Sequence, residues 1–237
     1  MRTYGRGWLE RLRKLGALAL CNAAIFIVAV WVFAAIADEV REGETFEAED
    51  RIMRSLRSGE PPVPVGPLWL VEVARDITGL GSVAVLSSMV LLVAGFLAFS
   101  RRYAAAAFVM VASGGGLLLN TTLKNLFDRE RPDETLRLIE IHSHSFPSGH
   151  AMSSATIYLT LAVLLTRLVT LRREKLYVLG AALLVSFLVG LSRVYLGVHY
   201  PTDVIAGWAA GVAWAQVCWF AVHVIGRRRL AHEAARP

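Results

Sequence analysis

Three short clusters of polar residues carry the chemistry that this 237-residue sequence could perform. They are KNLFDRERP at Lys124–Pro132, FPSGH at Phe146–His150 and SRVYLGVHYPTD at Ser192–Asp203. Together they contain histidines, cations, a serine and a carboxylate, which are the groups that can hold a phosphate and break its ester bond. Each cluster adjoins a hydrophobic segment, so the arrangement of these segments decides whether the clusters can meet.

The first cluster supplies two cations that suit a phosphate. Lys124 lies about one helical turn after Asn120, and Arg131 is kept out of the α region by Pro132. An arginine holds a phosphate with a bidentate fork, and a lysine holds it as a point charge. Snorkelling toward lipid headgroups would also explain both side chains, so this cluster alone does not decide between the two roles.

The second cluster opens a hydrophobic segment with Ser148, Gly149 and His150. A helix N-terminus presents unpaired N–H groups and the positive end of the helix dipole, which together attract anions. We expect the Ser148 hydroxyl and the Gly149 amide to donate to phosphate oxygens, with His150 beside the anion. A plain N-cap is the structural alternative for Ser148.

The third cluster places Arg193 at the end of one hydrophobic segment, and His199 and Asp203 before the next. The histidine and the aspartate can meet if the turn between them is helix-like, and the carboxylate would then fix the tautomer of the imidazole. A favourable charge at a helix N-terminus would explain Asp203 alone. Because it explains neither Arg193 nor His199, we favour a catalytic role.

The composition predicts an all-α integral membrane protein. Hydrophobic residues make up 55% of the chain and the mean hydropathy is +0.51, above the values typical of soluble domains. A bilayer core of about 30 Å needs roughly 20 apolar residues per helix. Six transmembrane helices are predicted, at about 15–37, 80–99, 103–119, 150–168, 176–191 and 204–225, in one membrane domain over 1–237 with a basic cytoplasmic tail at 226–237. The first is longer than a signal-peptide core, so we expect it to be retained.

The charge distribution predicts the orientation of these helices. With the N-terminus in the cytoplasm, 15 of the 25 basic residues and only 3 of the 19 acids fall inside. By the positive-inside rule both termini are cytoplasmic, and all three clusters lie on the extracytoplasmic side. Since this pattern accounts for the net charge of +6, we do not expect nucleic-acid binding.

The longest predicted loop covers residues 38–79 and begins with an acidic stretch. Phe46, Ile52, Met53 and Leu56 alternate with charges at near-helical spacing, which predicts a short extracytoplasmic amphipathic helix at the membrane surface. A lid or portal beside the site is a second, compatible interpretation.

The remaining polar or small residues receive structural interpretations. Ser113–Gly116 lies inside a predicted span, where small residues favour close helix packing, and it lacks the flanking elements of a phosphate-binding loop. Cys21 and Cys218 are expected to be packing residues. His142 and His144 form a His-x-His pattern that could bind a metal, although a solvated loop is the favoured interpretation.

Read together, the three clusters resemble the three-part signature of the type-2 phosphatidic acid phosphatase family, in residue type, order and spacing. The matching positions are Lys124-x6-Arg131-Pro132, Pro147-Ser148-Gly149-His150 and Ser192-Arg193-x5-His199-x3-Asp203. The resemblance implies that His199 is a nucleophile forming a phosphohistidine, that Asp203 binds its far nitrogen, and that His150 protonates the leaving lipid oxygen and then activates water. It further implies that no metal or cofactor is used and that five residues bind the phosphoryl oxygens: Lys124, Arg131, Ser148, Gly149 and Arg193.

We therefore predict a metal-independent lipid phosphate or diphosphate phosphatase at the extracytoplasmic face. Its substrate would be undecaprenyl diphosphate, phosphatidylglycerol phosphate or phosphatidic acid, and the outward-facing site favours the polyprenyl carrier. A lipid phosphotransferase could use the same residues. A transporter or anion-binding membrane protein is less favoured, because the predicted spans show no ionisable relay at the bilayer midplane. The sequence does not indicate an oligomeric state.

Overall fold

The structure is a computed structural model that describes residues 4–43, 46–141 and 143–234, with side chains over 19–43, 47–141 and 143–221. Within these residues the chain forms eight α-helices, one short hairpin and one 3-10 turn. The helices are α1 (Tyr4–Glu42), α2 (Phe46–Ser55), α3 (Leu68–Gly79), α4 (Val83–Phe99), α5 (Tyr103–Phe127), α6 (Gly149–Leu165), α7 (Arg172–Tyr195) and α8 (Pro201–Ala234). The hairpin pairs β1 (Arg57–Ser58) with β2 (Val63–Pro64), and the 3-10 turn is Glu134–Leu136.

Four helices in the described part of the chain are long and apolar enough to cross a membrane singly. They are α1 over Ala19–Glu42, α5, α7, and α8 over Pro201–Ala221. The pair α3 and α4 qualifies as a fifth candidate, bent by 42° at the break between them. Helix α6 is apolar but has only 17 residues. The all-helical membrane architecture is thus present, whereas the predicted count of six spans is not confirmed.

Several helices end away from the predicted boundaries. Helix α5 runs eight residues beyond the predicted end at Leu119, to Phe127. Within this extension the hydroxyls of Thr121 and Thr122 donate to the helix carbonyls of Leu117 and Leu118, at 3.0 and 2.9 Å. Asp128 follows the last helical residue as the C-cap and adopts a left-handed conformation. Lys124 therefore lies in the last turn of α5. At the other end of the chain, residues 226–234 of the predicted tail continue α8.

The region predicted as a loop over 38–79 is largely helical, since it contains α2 and α3 as well as the end of α1. The predicted amphipathic helix corresponds to α2. Its buried face carries Met53, which packs with Leu136 and Tyr200, whereas Ile52 is exposed. Arg57 connects the hairpin to the 3-10 turn and to the end of α7, because its guanidinium donates to the carbonyl oxygens of Leu136 and Tyr195.

Helix α6 packs against α5, α7 and α8, so its N-terminus is held at the point where the three clusters could meet. Its contact with α8 is close because Gly207 and Gly211 face it. A Cβ atom on Gly207 would lie 2.6 Å from the carbonyl oxygen of Ser148, and one on Gly211 would lie 2.6 Å from that of Met152. This is the small-residue spacing that lets two helix backbones approach each other.

Three aromatic rings fix the entrance to α6. Phe146 is fully buried, and its ring lies 4.9 Å from that of Phe127 at the end of α5 and 5.8 Å from that of Phe33 on α1. These three rings join Phe146 of the second polar cluster to the end of α5, and that end of α5 carries Lys124 of the first polar cluster.

Candidate active site

His199 lies in the short turn between α7 and α8. The chain turns at Gly197, whose φ of +77° is a conformation that favours glycine. Pro201 then begins α8, as proline often does at a first helical position. The imidazole is 1% exposed, and Asp203 in the first turn of α8 is fully buried.

The two side chains meet as the helix-like turn predicts. His199 Nδ1 lies 3.4 Å from Asp203 Oδ2. The same oxygen accepts hydrogen bonds from the Tyr200 amide at 2.9 Å and from the Ser145 hydroxyl. Because an ionised carboxylate can only accept, this arrangement places the imidazole proton on Nδ1 and leaves the lone pair on Nε2.

The cations of the first cluster approach the other side of this imidazole. Arg131 Nη1 lies 3.3 Å from His199 Nε2, and it also donates to the Val198 carbonyl at 2.5 Å. Lys124 Nζ donates to the His144 carbonyl at 2.6 Å, and Arg131 Nη2 donates to the same oxygen at 3.2 Å. The two cations therefore converge on one carbonyl beside His199.

Two buried donors at the site have no hydrogen-bond partner within the described chain. One is the Ser148 hydroxyl. Ser148 occupies the N-cap position of α6, but its side chain makes no capping hydrogen bond. Its amide donates to the Asp203 carbonyl at 2.9 Å. The other is Nε of Arg193, which is 2% exposed and uses Nη1 to donate to Thr78 of α3 at 3.0 Å. Unpaired buried donors are costly, and phosphate oxygens would satisfy both.

Gly149 and His150 form the first turn of α6 and lie against neighbouring elements. A Cβ on Gly149 would lie 3.0 Å from Asn120 Nδ2 and 3.6 Å from Lys124 Cε, so the glycine allows α5 to approach the start of α6. A Cβ on Gly81, just before α4, would lie 3.3 Å from His150. The first turn of α6 is thereby enclosed between α5 and α4.

Burial holds the pKa of His199 well below its usual value of 6.5, and the neighbouring Arg131, Arg193, Lys124 and His150 lower it further. Burial also lowers the pKa of Arg131, to about 10, with Asp203 opposing the shift and Arg137 adding to it. At neutral pH the site therefore combines a neutral imidazole with protonated cations, which suits a nucleophile facing an anion.

Sequence reasoning missed an ionic chain behind Asp203. Arg129 Nη1 donates to Asp203 Oδ1 at 2.6 Å, and its Nη2 donates to Glu49 Oε2 of α2 at 2.5 Å. The three side chains are at most 5% exposed. Glu49 Oε1 in turn accepts from the Thr202 amide at 3.0 Å and from its hydroxyl at 2.5 Å. The position of Arg129 inside the first polar cluster could have indicated that it belongs to the site. The sequence pattern of α2 did not indicate that Glu49 would be buried there.

The predicted alternative of a metal at the His-x-His pattern finds no support from His144. Its Nδ1 lies 2.6 Å from Asp128 Oδ1, and the two side chains are 48% and 75% exposed. His142 lies outside the described residues. Among the residues that are described, no group of three or more histidine, cysteine or acidic side chains could hold a metal ion.

Comparison with known proteins identifies the family of this chain. The family model described as the PAP2 superfamily matches residues 102–227. Phosphatidylglycerophosphatase B of Bacillus subtilis is 38% identical over 145 residues, which cover 61% of this chain and 71% of that protein. An undecaprenyl-diphosphatase of Sulfolobus acidocaldarius is 46% identical over 68 residues, which cover 29% of each protein.

The fold is also shared with a solved structure. The transmembrane PAP2-type phosphatidylglycerolphosphate phosphatase from Bacillus subtilis superposes with a TM-score of 0.71 at 30% sequence identity, covering 86% of this chain and 96% of that one. Together with the apolar helices, this likeness indicates an integral membrane protein. The chain belongs to the PAP2 superfamily of phosphatases, which hydrolyse lipid phosphate esters.

Proposed function

We propose that this protein is a metal-independent lipid phosphate or diphosphate phosphatase that works through a phosphohistidine on His199. The observation that carries the proposal is the buried, neutral imidazole of His199. Its Nδ1 is held toward Asp203, and its Nε2 is left with a lone pair that faces Arg131. An imidazole oriented in this way by a carboxylate is a competent nucleophile.

The phosphoryl group binds among Lys124, Arg131, Arg193, Ser148 and Gly149. The three cations balance its charge, and the unpartnered Ser148 hydroxyl and Arg193 Nε donate to its oxygens. Such donors stabilise the charge on the transferring phosphoryl group, and their prior placement avoids reorganisation during the reaction.

In the first step, the lone pair on His199 Nε2 forms a bond to phosphorus and the bond from phosphorus to the lipid oxygen breaks. The phosphate anion bound beside His150 favours its protonated form, and this imidazolium gives its proton to the lipid oxygen, so the lipid leaves as a neutral alcohol. From a lipid diphosphate, the bond between the two phosphates breaks and a lipid monophosphate leaves. Asp203 stabilises the positive imidazole ring that forms on His199.

In the second step, the neutral His150 takes a proton from water and the water oxygen attacks phosphorus. The bond from phosphorus to Nε2 breaks and inorganic phosphate is released. This returns His199 to its neutral form and His150 to its protonated form, so the cycle closes.

Arg129 and Glu49 position Asp203 for both steps. Arg129 binds Oδ1 of Asp203, which leaves Oδ2 directed at His199. Because Glu49 belongs to α2, this helix contributes to the orientation of the nucleophile. We class both as positioning residues, since neither reaches the phosphate in the mechanism.

The site acts on the extracytoplasmic leaflet, with both termini in the cytoplasm, and residues 1–237 form one membrane phosphatase domain. The distribution of basic residues among the loops supports this orientation.

Undecaprenyl diphosphate, phosphatidylglycerol phosphate and phosphatidic acid are the substrates to compare, and the outward orientation favours the polyprenyl diphosphate. Two relatives are named for related activities, one a phosphatidylglycerophosphatase and one an undecaprenyl-diphosphatase.

The test is phosphate release from these three lipids by purified protein in EDTA. We expect release in the chelator, loss of release in His199→Ala, and an acid-labile labelled protein after brief reaction with a terminally labelled lipid. Inorganic phosphate as the labelled product distinguishes hydrolysis from transfer to a second lipid. Activity that survives His199→Ala, or that needs an added divalent metal, would overturn the mechanism.

A further inference from the structure

Asn120 lies beside the phosphate site, but the proposed chemistry does not yet use it. It belongs to α5, about one helical turn before Lys124, so the two residues lie on the same face of the helix. A Cβ atom on Gly149 would lie 3.0 Å from Asn120 Nδ2, and 3.6 Å from both Asn120 Oδ1 and Lys124 Cε. The amide group of Asn120 is therefore packed against the first residue of α6, which directly precedes His150.

The carbonyl oxygen of this amide is buried without a hydrogen-bond donor. Asn120 is 7% exposed, and within the described chain its Oδ1 has no hydrogen-bond partner. Lys124, one turn along the helix, donates instead to the His144 carbonyl at 2.6 Å. A buried carbonyl that lacks a donor costs free energy, and the cost is greater in an apolar helix that can cross a membrane.

This oxygen differs in kind from the other unpartnered groups of the site. The Ser148 hydroxyl and Arg193 Nε can donate, so phosphate oxygens satisfy both. An ionised phosphoryl group has no proton to give, so it cannot satisfy Asn120 Oδ1. That oxygen needs a small partner that brings its own proton. The second step of the proposed mechanism supplies one, since water enters beside His150 to attack the phosphohistidine.

The attacking water carries two protons, and His150 takes only one of them. The water oxygen forms a bond to phosphorus, the bond from phosphorus to His199 Nε2 breaks, and the first proton passes to His150. The second proton stays on the oxygen and leaves with the product phosphate. A hydrogen bond from that proton to Asn120 Oδ1 orients the water for its attack.

An alcohol carries only one proton on its oxygen. When His150 takes that proton, none is left to bind Asn120, so this hydrogen bond is available to water and not to an alcohol. The same side chain thus bears on the choice between hydrolysis and transfer of the phosphoryl group to another acceptor.

We propose that Asn120 Oδ1 accepts a hydrogen bond from the attacking water and thereby selects water, rather than an alcohol, as the phosphoryl acceptor. The inference rests on the proposed function for the phosphohistidine on His199. In this role Asn120 is a catalytic residue of the second step alone, because it binds the water and not the lipid that leaves in the first step.

Asn120→Leu removes the amide while keeping its approximate size and shape. Because the oxygen that is lost has no partner, the variant should unfold at or above the wild-type temperature. Ser113→Ala is the matched control. Ser113 Oγ is another buried side-chain oxygen of α5 without a hydrogen-bond partner in the described chain, but it lies about 10 Å along the helix axis from Asn120.

The first readout is the partition of products in the presence of butanol. A terminally labelled lipid yields inorganic phosphate when water attacks and butyl phosphate when butanol attacks. We expect the ratio of butyl phosphate to inorganic phosphate to rise about tenfold in Asn120→Leu, the effect of one lost hydrogen bond, and to stay at the wild-type value in Ser113→Ala. Only folded, active molecules contribute to this ratio, so it does not depend on how much of the variant folds.

The second readout is oxygen exchange between inorganic phosphate and isotopically labelled water. This exchange reverses and repeats the second step without any lipid. It should slow about tenfold in Asn120→Leu, keep the wild-type rate in Ser113→Ala, and disappear in His199→Ala.

An unchanged product ratio in Asn120→Leu, an equal shift in Ser113→Ala, or exchange at the wild-type rate in Asn120→Leu would overturn the inference. If exchange depends on Asn120 and His199 but none of the three lipids releases phosphate, the role of Asn120 stands and the proposed lipid substrate fails. If the lipids release phosphate and Asn120→Leu matches the wild type in both readouts, the proposed function stands and Asn120 has no part in it.

Discussion

Replacement of Arg129 by methionine tests whether the ionic chain behind Asp203 supports the fold and the nucleophile. Arg129 makes hydrogen bonds of 2.6 Å to Asp203 and 2.5 Å to Glu49, and all three side chains are buried. Its removal leaves two buried carboxylates without their cation, and breaking a buried ion pair in this way costs about 3–5 kcal/mol. For a chain of this size that loss lowers the unfolding midpoint by about 6–20 °C.

Arg129→Lys separates orientation from stability. Lysine keeps the positive charge but lacks the planar fork that reaches Asp203 and Glu49 together. We expect the folded variant to lose about 10–100-fold in kcat, a loss of the size found when a residue that orients a metal-binding side chain is replaced. KM should change little, because Arg129 does not contact the phosphate in the proposed mechanism. Phosphate release at varied lipid concentration in mixed micelles measures both constants.

Arg54→Met is the control for the stability effect. Arg54 and Asp50 form a pair of 2.6 Å on α2, but their side chains are 63% and 37% exposed. Exposed pairs contribute about 0–1 kcal/mol, so this variant should unfold within a few degrees of wild type. If Arg129→Met unfolds at the same temperature as Arg54→Met, or if Arg129→Lys keeps the wild-type kcat, the reasoning about the ionic chain is wrong.

The other two predictions concern the neutral imidazole and the packing beneath it. The pKa of His199 is lowered in the folded protein, so below pH 6.5 the unfolded chain takes up a proton that the folded one does not, and stability falls as the pH falls. At pH 5.5 the free energy of unfolding is lower by about 1.4 kcal/mol. The unfolding temperature of His199→Gln should therefore fall less on acidification than that of wild type. An equal fall in both proteins would count against a neutral His199 in the folded state. Gly207→Ala should destabilise by about 1–3 kcal/mol, because its Cβ would lie 2.6 Å from the Ser148 carbonyl. Gly180→Ala, where the space is open, should be neutral or stabilising in the same unfolding assay, and equal midpoints for the two would refute the packing argument.

The sequence predicted the helical class better than it predicted the lengths of the helices. Hydropathy detects an apolar run of bilayer length, but it does not detect where the backbone stops being helical. In α5 the helix continues through polar residues to Phe127, and it is followed by Asp128 in a left-handed conformation. The reverse occurs in α6, which ends at Leu165, short of the predicted Leu168.

The buried residues that contact Asp203 were harder to predict than the contact between His199 and Asp203. His199 and Asp203 are four residues apart, so a local turn is enough to bring them together. Glu49 meets Arg129 across 80 residues of chain. A glutamate in an amphipathic helix is usually solvated, and only the packing of Met53 against Leu136 and Tyr200 turns this face of α2 inward.

The three polar clusters of the sequence define the types of chemical group that this protein carries, and its apolar segments define its helices. Both follow from properties of single residues and their near neighbours. The tertiary structure alone decided which donors stay unpartnered, as for Ser148, and which of the glycines Gly114, Gly115 and Gly116 has no atom within 4 Å of an added Cβ. These features depend on atoms that are distant in sequence, because a hydrogen-bond partner or an empty space exists only after the helices have packed.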